Sequence, residues 1–549
     1  MSDTDNKPPI DYAIIGGGVS GAYSVWRLKQ ALPEARVALF EYSDRIGGKL
    51  FSRTLPGMPN VVAELGGMRY IPKAQPLVTG LIEELDLPSK VFPMGSPKTG
   101  DDNNYCYFRQ THLLNKQMSD PDIVPYNLDW AEQGKSPNEL MNYVAKMLVP
   151  DLDDLEFEDW FEVRVFGKYL WEWGFWNLLY RVLSPEAYAY MQQGLGYDTN
   201  VANGNAINLL ITAGDTSGSD AYRTLVDGYE ALPIALAKQF QEKFHGEEYR
   251  NLRLAQLTRG SDDLYDLLFV ATKTDDYRTI DEEPGKTVRH RAKHVILAMP
   301  RRSIELIDWP LATGNAWLKD NLASVLIQPA FKLFLGYPYP WWHGLGLQAG
   351  RSITDLPIRQ AFYFGTQGEQ PGADPKNLSS LLMASYNDLG TVPFWKGLER
   401  GEPFRGEPGY EHCDEGEEVV PASEFHASGP MVREAHRQVE QLHGQRELPK
   451  PYSAIYHDWG DDPYGGGWHS WKAGYRYDKI VKRMTHPVPG ENVYVCGAAY
   501  SLDQGWVEGA LETAEQMLED DLGVPKHPCL ETWSLDPLKR LKARLQSMA

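Results

Sequence analysis

The chain has 549 residues, too many for one hydrophobic core, so two or three domains are expected. Hydrophobic residues at 42% and charged residues at 23% suit a soluble globular protein. Its 54 basic and 75 acidic residues leave a net charge of −21, which argues against nucleic acid or an anionic membrane as a partner across the whole surface.

The opening MSDTDNKPPI has no basic stretch followed by an apolar one, and no apolar run approaches the roughly 20 residues needed to span a bilayer. A cytoplasmic location follows as the expectation. The four cysteines, Cys106, Cys413, Cys496 and Cys529, are widely spaced without a C-x-x-C pair, so free thiols are expected and no zinc motif is visible.

In chain order, YAIIGGG, AYSVWRLKQAL and RVALFE read as strand, helix and strand, the start of a right-handed βαβ unit. From about 120 to 220 the pattern becomes aromatic and helical, as in FGKYLWEWGFWNLLYRVLSPEAYAYMQQGL. Strands return at LRLAQLTRG, LYDLLFVAT and HVILAMP, then at AFKLFLGY and SSLLMASYND. LERGEPFRGEPGYEHCDEGEE, 398–418, reads as an acidic surface excursion. NVYVCGAAYSLDQGWVEGALETAEQML is a last strand-turn-helix, and LKRLKARLQSMA a short amphipathic helix docking on the body. A strand-glycine-helix unit at each end of the chain implies one discontinuous domain with the remainder inserted into it.

Gly16, Gly18 and Gly21 satisfy G-x-G-x-x-G between a strand and a helix that includes Ser20. The first glycine permits the tight turn, the second lets backbone approach a pyrophosphate, and the third lets helix and strand pack closely. The helix N-terminus offers unpaired N–H groups to phosphate. Glu41, twenty residues on, is placed to accept hydrogen bonds from a ribose diol. These features predict a dinucleotide without separating NAD from FAD. Arg45 and Lys49, around Gly47 and Gly48 in EYSDRIGGKLFS, could offset phosphate charge.

This E-x-x-x-R-x-G-G-K arrangement resembles the second signature of the flavin-dependent amine oxidase family, whose last position is usually arginine; Lys49 keeps the charge and loses the two-pronged donor. The resemblance continues through VAELGGMRY, 62–70, which resembles the flavin-lining strand and places Gly67, Met68 and Arg69 at the cofactor. RLAQLTRG puts Leu257 over the adenine, and HVILAMPRRSIELI resembles the strand returning to the dinucleotide domain. CGAAYSLDQGWVEGALETAE resembles the C-terminal flavin motif and brings in Gly497, Trp506 and Val507; where much of the family has an acid binding a ribityl hydroxyl, this chain has Ala498. The resemblance implies bound FAD and an α/β fold. Its Rossmann-like FAD-binding domain of the amine-oxidase type is discontinuous (10–72, 221–310 and 485–524). A mixed-sheet substrate domain (73–119 and 311–484), an inserted helical domain (120–220) and a C-terminal tail (525–549) complete it.

GGMRY matches the G-x-M-R motif of the L-amino acid oxidase branch, whose arginine pairs with the substrate carboxylate; Arg69 would do so here. SITDLPIRQAFYF, 352–364, resembles that branch's substrate-domain strand, and Tyr386 occupies the place of its second carboxylate donor. Lys332, alone in the apolar AFKLFLGY, is costly to bury unless used; the family holds a water beside the flavin with this lysine. Trp506 would wall the flavin ring and, with Tyr386, form a cage around the amine. Trp459 and Trp468 could line it as easily as they could serve the core. Asp215 and Asp220 could attract a cationic substrate or merely cap helices. The implied activity is oxidation of an L-amino acid to imino and then 2-oxo acid, releasing ammonia, with dioxygen reduced to hydrogen peroxide. An amide-forming amino acid 2-monooxygenase and an amine or polyamine oxidase remain open on the same scaffold. A homodimer or higher homo-oligomer is expected from the resemblance.

Overall fold

The computed structural model describes residues 8–95, 103–212, 222–275, 278–282, 286–404, 406, 427–460 and 464–530. Ile10–Ile15, Val19–Ala31 and Val37–Phe40 form the expected strand, helix and strand, with Tyr12 to Ile15 parallel to Val37 to Phe40. The helix buries Val19 through Leu28 without a break, because helices Ala231–Glu242 and Val507–Gln516 both pack against it.

The sheet beneath it runs Glu247–Tyr249, Val37–Phe40, Ile10–Ile15, Thr287–Leu297, Tyr265–Asp275, Leu252–Arg259. Thr287–Leu297 joins its two parts. Thr287 to Ala292 pair antiparallel with Tyr265–Asp275, while Val295 to Leu297 run parallel to Ile10–Ile15 and to Val493–Val495. Three distant chain segments therefore meet in one sheet, as the glycine turns at both ends imply.

A second, seven-stranded sheet runs Ser453–Asp458, Ala330–Tyr337, Ser380–Asp388, Gln360–Thr366, Arg351–Thr354, Tyr105–Phe108, Thr111–Leu114. Ala330–Tyr337 is buried along its whole length and pairs antiparallel on both sides, so Lys332 lies opposite Tyr386 and opposite His457. Helix Gly429–Leu442 covers part of this sheet. The aromatic helical region forms Pro137–Leu148, Phe175–Val182, Pro185–Gly194 and Ala206–Thr212. Ser136 and Ser184 cap the N-termini of the first and third.

Two expectations change. Residues 352–364 are not one strand: Arg351–Thr354 and Gln360–Thr366 form a hairpin whose turn ends at Arg359, with φ of +58°. The boundary at 72/73 also moves. Helix Pro76–Glu84 buries Leu77, Val78, Leu81 and Ile82 in the same core as the helix Val19–Ala31, and Ser89–Val91 pairs with Arg223–Leu225. Packing on the dinucleotide layer thus extends to about residue 91. Only the start of the tail is described: Arg27 donates to the Pro525 carbonyl and the His527 N–H to buried Glu515. LKRLKARLQSMA lies outside the described residues, as does most of 398–418. Among the described residues, Cys106, Cys496 and Cys529 are free thiols, and no helix is long and apolar enough to cross a membrane.

One buried acid ties the ends of the chain together. Glu508 accepts the N–H groups of Leu77 and Val78 at 3.0 and 2.9 Å, satisfying the first turn of Pro76–Glu84 from 431 residues away. Glu508→Ala should cost roughly 2–4 kcal/mol by orphaning those donors, measured as a lowered thermal-unfolding midpoint. An unchanged midpoint would show that this helix is held by its apolar face alone.

Candidate active site

A cavity of about 940 Å³ runs between the two sheets, lined from one side by the glycine turns and from the other by Ala330, Lys332 and Tyr386. Gly16, Gly18, Ser20, Glu41, Arg45, Gly48, Lys49, Gly67, Gly497, Trp506 and Val507 all border it, with Ala498. Four predicted positions do not. Gly21 is a packing residue: a Cβ there would lie 1.9 Å from the Gly16 carbonyl oxygen. Met68 is buried among Phe51, Leu65 and Ile71. Leu257 is fully buried in the core, with its N–H on the Asp308 carbonyl; Leu252, Arg253 and Leu254 border the cavity instead. The strand shifts register between Leu254 and Gln256, a displacement that residue spacing alone does not reveal. Arg69 does not border the cavity; it lies among the aromatic side chains described below.

The dinucleotide end is built from close backbone approach and one uncompensated cation. Gly18 faces the second glycine turn so tightly that a Cβ on Gly48, whose φ is +57°, would stand 2.8 Å from the Gly18 Cα. Glu41 is fixed by the Gly17 N–H at 2.6 Å and by the Ser43 N–H and hydroxyl at 2.9 and 2.7 Å. A carboxylate has about four acceptor positions, so one remains for a ribose hydroxyl. Arg45 is not the phosphate neutraliser expected. Its guanidinium donates to the Gly48 and Leu50 carbonyls and lies 4.2 Å over the Phe51 ring, bracing the second turn. Lys49 takes the charge role. Among the described residues it has no acceptor or acid, and burial pushes its amine down to about 8. A half-buried, desolvated cation of this kind is offset by an anionic ligand.

Further along, the Trp468 Nε1 and His469 Nε2 atoms are buried without hydrogen-bond partners, and both residues border the cavity. Burial holds His469 neutral. Trp459 also borders the cavity and donates to the Leu65 carbonyl at 2.8 Å. Of the two undecided tryptophans, both therefore face the cleft. Uncapped donors, a tight glycine cradle and a lone cation are a fitting receptacle for a phosphate-bearing dinucleotide with a polar ring system.

Lys332 is 2% exposed. Its Nζ donates to the Glu64 carbonyl at 3.0 Å and to that of Gly66, and lies 4.5 Å over the Tyr386 ring. Burial lowers its amine below the usual lysine range; the charge of Glu64 works against that and the charge of Arg69 reinforces it. Tyr386 is driven well above the usual tyrosine range by burial, so it stays a phenol and can donate. Tyr197, from the helical region, meets Tyr386 edge to face at 5.0 Å.

The Arg69 guanidinium donates to the Met94 sulfur at 2.8 Å and stacks 4.1 Å over Tyr222, with Phe92 and Phe362 within 6 Å. No acid pairs with it among the described residues. Tyr222 in turn is parallel to Trp506, centroids 6.5 Å apart. Tyr197, Tyr222, Phe92 and Phe362 were not legible as site residues, since lone aromatics in apolar segments signal core. Asp215 and Asp220 lie outside the described residues. Among the described residues no cluster of His, Cys, Asp and Glu is placed to hold a metal.

Comparison with known proteins agrees with this geometry. The model of the family described as flavin containing amine oxidoreductase matches residues 25–393 and 430–517. Aplysianin-A of Aplysia kurodai is 30% identical, over 96% of this chain and 92% of its own. An L-amino-acid oxidase of Mus musculus is 23% identical over 92% of this chain and 69% of its own. A putrescine oxidase solved with putrescine shares the fold, with a TM-score of 0.63 at 16% identity over 94% of this chain and 99% of that one. With so much of its length matched by that family model and a cleft shaped for the same cofactor, the chain belongs to the flavin containing amine oxidoreductases and binds FAD.

Proposed function

We propose that this flavoenzyme is an L-amino acid oxidase, converting L-amino acids and dioxygen to 2-oxo acids, ammonia and hydrogen peroxide. The observation that carries the reading is Arg69, a guanidinium held among aromatic rings with no acid beside it among the described residues. Such a group suits a carboxylate, which can accept two parallel N–H bonds and be fixed in orientation. A simple diamine offers it nothing. The names of similar proteins such as the mouse L-amino-acid oxidase support the same reading, and the L configuration rests on that resemblance.

Bound FAD supplies the two-electron oxidation. The chain supplies the rest. Arg69 and the neutral Tyr386 hydroxyl anchor the carboxyl end, which directs the adjacent carbon and its amine toward the cleft. Trp506, Tyr222, Phe92 and Phe362 wall that space with apolar surface and exclude water. Lys332, bordering both the cleft and Tyr386, presents an amine whose protonation can change near neutral pH. It can therefore hold or accept a proton beside the reacting amine.

Arg69→Met should lower kcat/KM for L-amino acids about 10²–10³-fold, the loss of a buried charge-paired anchor, while flavin absorbance stays intact. Activity toward decarboxylated amines should not fall with it. Equal turnover of an amino acid and its decarboxylated amine by the wild type, with Arg69→Met indifferent, would replace this reading with an amine oxidase. Amide and carbon dioxide in place of 2-oxo acid and ammonia would replace it with a monooxygenase.

Lys49→Met should weaken FAD binding by about 10- to 100-fold, the worth of a hydrogen bond to a charged group, measured by reconstituting apoprotein. The sign of the pH effect follows from the depressed Lys49 amine. Above about pH 8 the free protein holds this lysine neutral and must take up a proton to meet phosphate. Affinity should therefore fall as pH rises through that value, and this slope should vanish in Lys49→Met.

A further inference from the structure

Glu64 ends the strand Val62–Glu64, and it touches Lys332 through its backbone only: the Glu64 carbonyl oxygen accepts the Lys332 amine at 3.0 Å. Its side chain is committed elsewhere. The carboxylate accepts the Ser52 hydroxyl at 2.6 Å and the Tyr229 N–H at 2.8 Å, and Glu64 as a whole is 3% exposed. Glu64 also borders a second cavity of about 70 Å³, shared with Lys90, Val91, Thr224, Phe92 and Phe362. That space holds about two water molecules, and Val91 at its edge is half exposed. The Thr224 hydroxyl, bordering it, is buried without a partner. Phe92 and Phe362, which border it, also flank Arg69.

We propose that Glu64 is a positioning residue for Lys332: its buried carboxylate is the counter-charge that favours the protonated form of the neighbouring active-site amine.

The other charged and titratable groups are accounted for. Around Lys332 stand Arg69, which repels its charge, the phenol Tyr386, and His457 on the opposite strand. Around Glu64 stand Lys90, Tyr229 and Glu230. Glu230 is engaged by Arg53 at 2.8 Å and by the Ser52 N–H. No carboxylate lies within salt-bridge distance of Lys332 among the described residues, so the acid acts across its own peptide unit and not by contact. Burial pushes the Lys332 amine down and the Glu64 carboxyl up, and each one's charge opposes the shift of the other. Such coupling is reciprocal.

A purely structural Glu64 would hold the Tyr229 N–H and the Ser52 hydroxyl and leave Lys332 alone, so the titration of Lys332 separates the two roles. The measurement uses FAD-loaded enzyme with lysine ¹³C-labelled at Cε, the Lys332 signal being identified by its loss in Lys332→Met. Glu64→Gln should lower the Lys332 midpoint by about one pH unit or more. Glu64→Asp should restore part of that shift. Ser52→Ala, which strips one hydrogen bond from the carboxylate and disfavours its charge, should move the midpoint the same way by less. Lys332→Met should raise the Glu64 midpoint, followed by its carboxyl infrared band, by the same amount as the reciprocal shift. A Lys332 midpoint that stays within about 0.3 units in folded, yellow Glu64→Gln overturns the proposal. If Glu64→Gln does not fold, unmoved midpoints in Ser52→Ala and Lys332→Met overturn it. None of these readings needs a substrate, so they stand or fall separately from the amino acid oxidase reading.

Discussion

The structure turns on positive charge buried or half-buried without acid at contact. Lys49, Arg69 and Lys332 each lie in or beside the FAD cleft with no carboxylate at salt-bridge distance among the described residues, in a chain carrying a net charge of −21. With 75 acidic residues available, pairing these three would have been easy. Isolated buried cations cost several kcal/mol each, and the surroundings reduce that cost in different ways. Lys332 has two carbonyls, an aromatic face and a more distant acid. Arg69 has a sulfur atom and a ring. Lys49 has no partner among the described residues, so its compensation comes with the FAD it binds.

Holding these cations apart from acids needs a rigid frame, and the interleaved fold supplies it. Lys49 stands on a turn locked to the first glycine loop, where the Gly47 N–H bonds the Gly17 carbonyl at 2.9 Å. Arg69 follows the strand Val62–Glu64, and its neighbour Tyr70 is bonded through its backbone to Arg223. Lys332 comes from the centre of the other sheet, where strands on both sides fix its register. Each cation thus rests on a separate element, and the FAD-binding cleft is the seam between layers. Several acids that enter the interior are spent on the frame: Glu508 on the helix Pro76–Glu84, Glu515 on Arg27 and the start of the tail, Asp388 on the N–H groups of Asp198 and Thr199.

Much of this was legible from residue order. The first strand, helix and strand are covalently close, so their alternation and glycine spacing suffice to specify them. The lysine in AFKLFLGY stood out for the same local reason, a charge in an apolar run. Legibility failed where one residue's role depends on a distant partner. Arg45 and Lys49 look interchangeable in EYSDRIGGKLFS, yet Arg45 is consumed by two carbonyls only a few residues away in the folded turn. Leu257 was expected at the cleft and lies in the core, while Leu252 to Leu254 of the same strand border the cleft, and the register shift between them is invisible to strand patterning. The hairpin at 351–366 read as one strand because its turn at Arg359 contains no glycine.

By itself, the sequence determined the dinucleotide loop, the alternation of layers and the presence of a charged side chain inside an apolar strand, since these follow from neighbours along the chain. Only the tertiary structure decided which cations stay unpaired among the described residues, that Tyr197 and Tyr222 join the site, and that Glu64 reaches Lys332 through its backbone while its carboxylate is held by Ser52 and Tyr229. Burial and pairing are properties of residues brought together from far apart, and a linear pattern carries no measure of that distance.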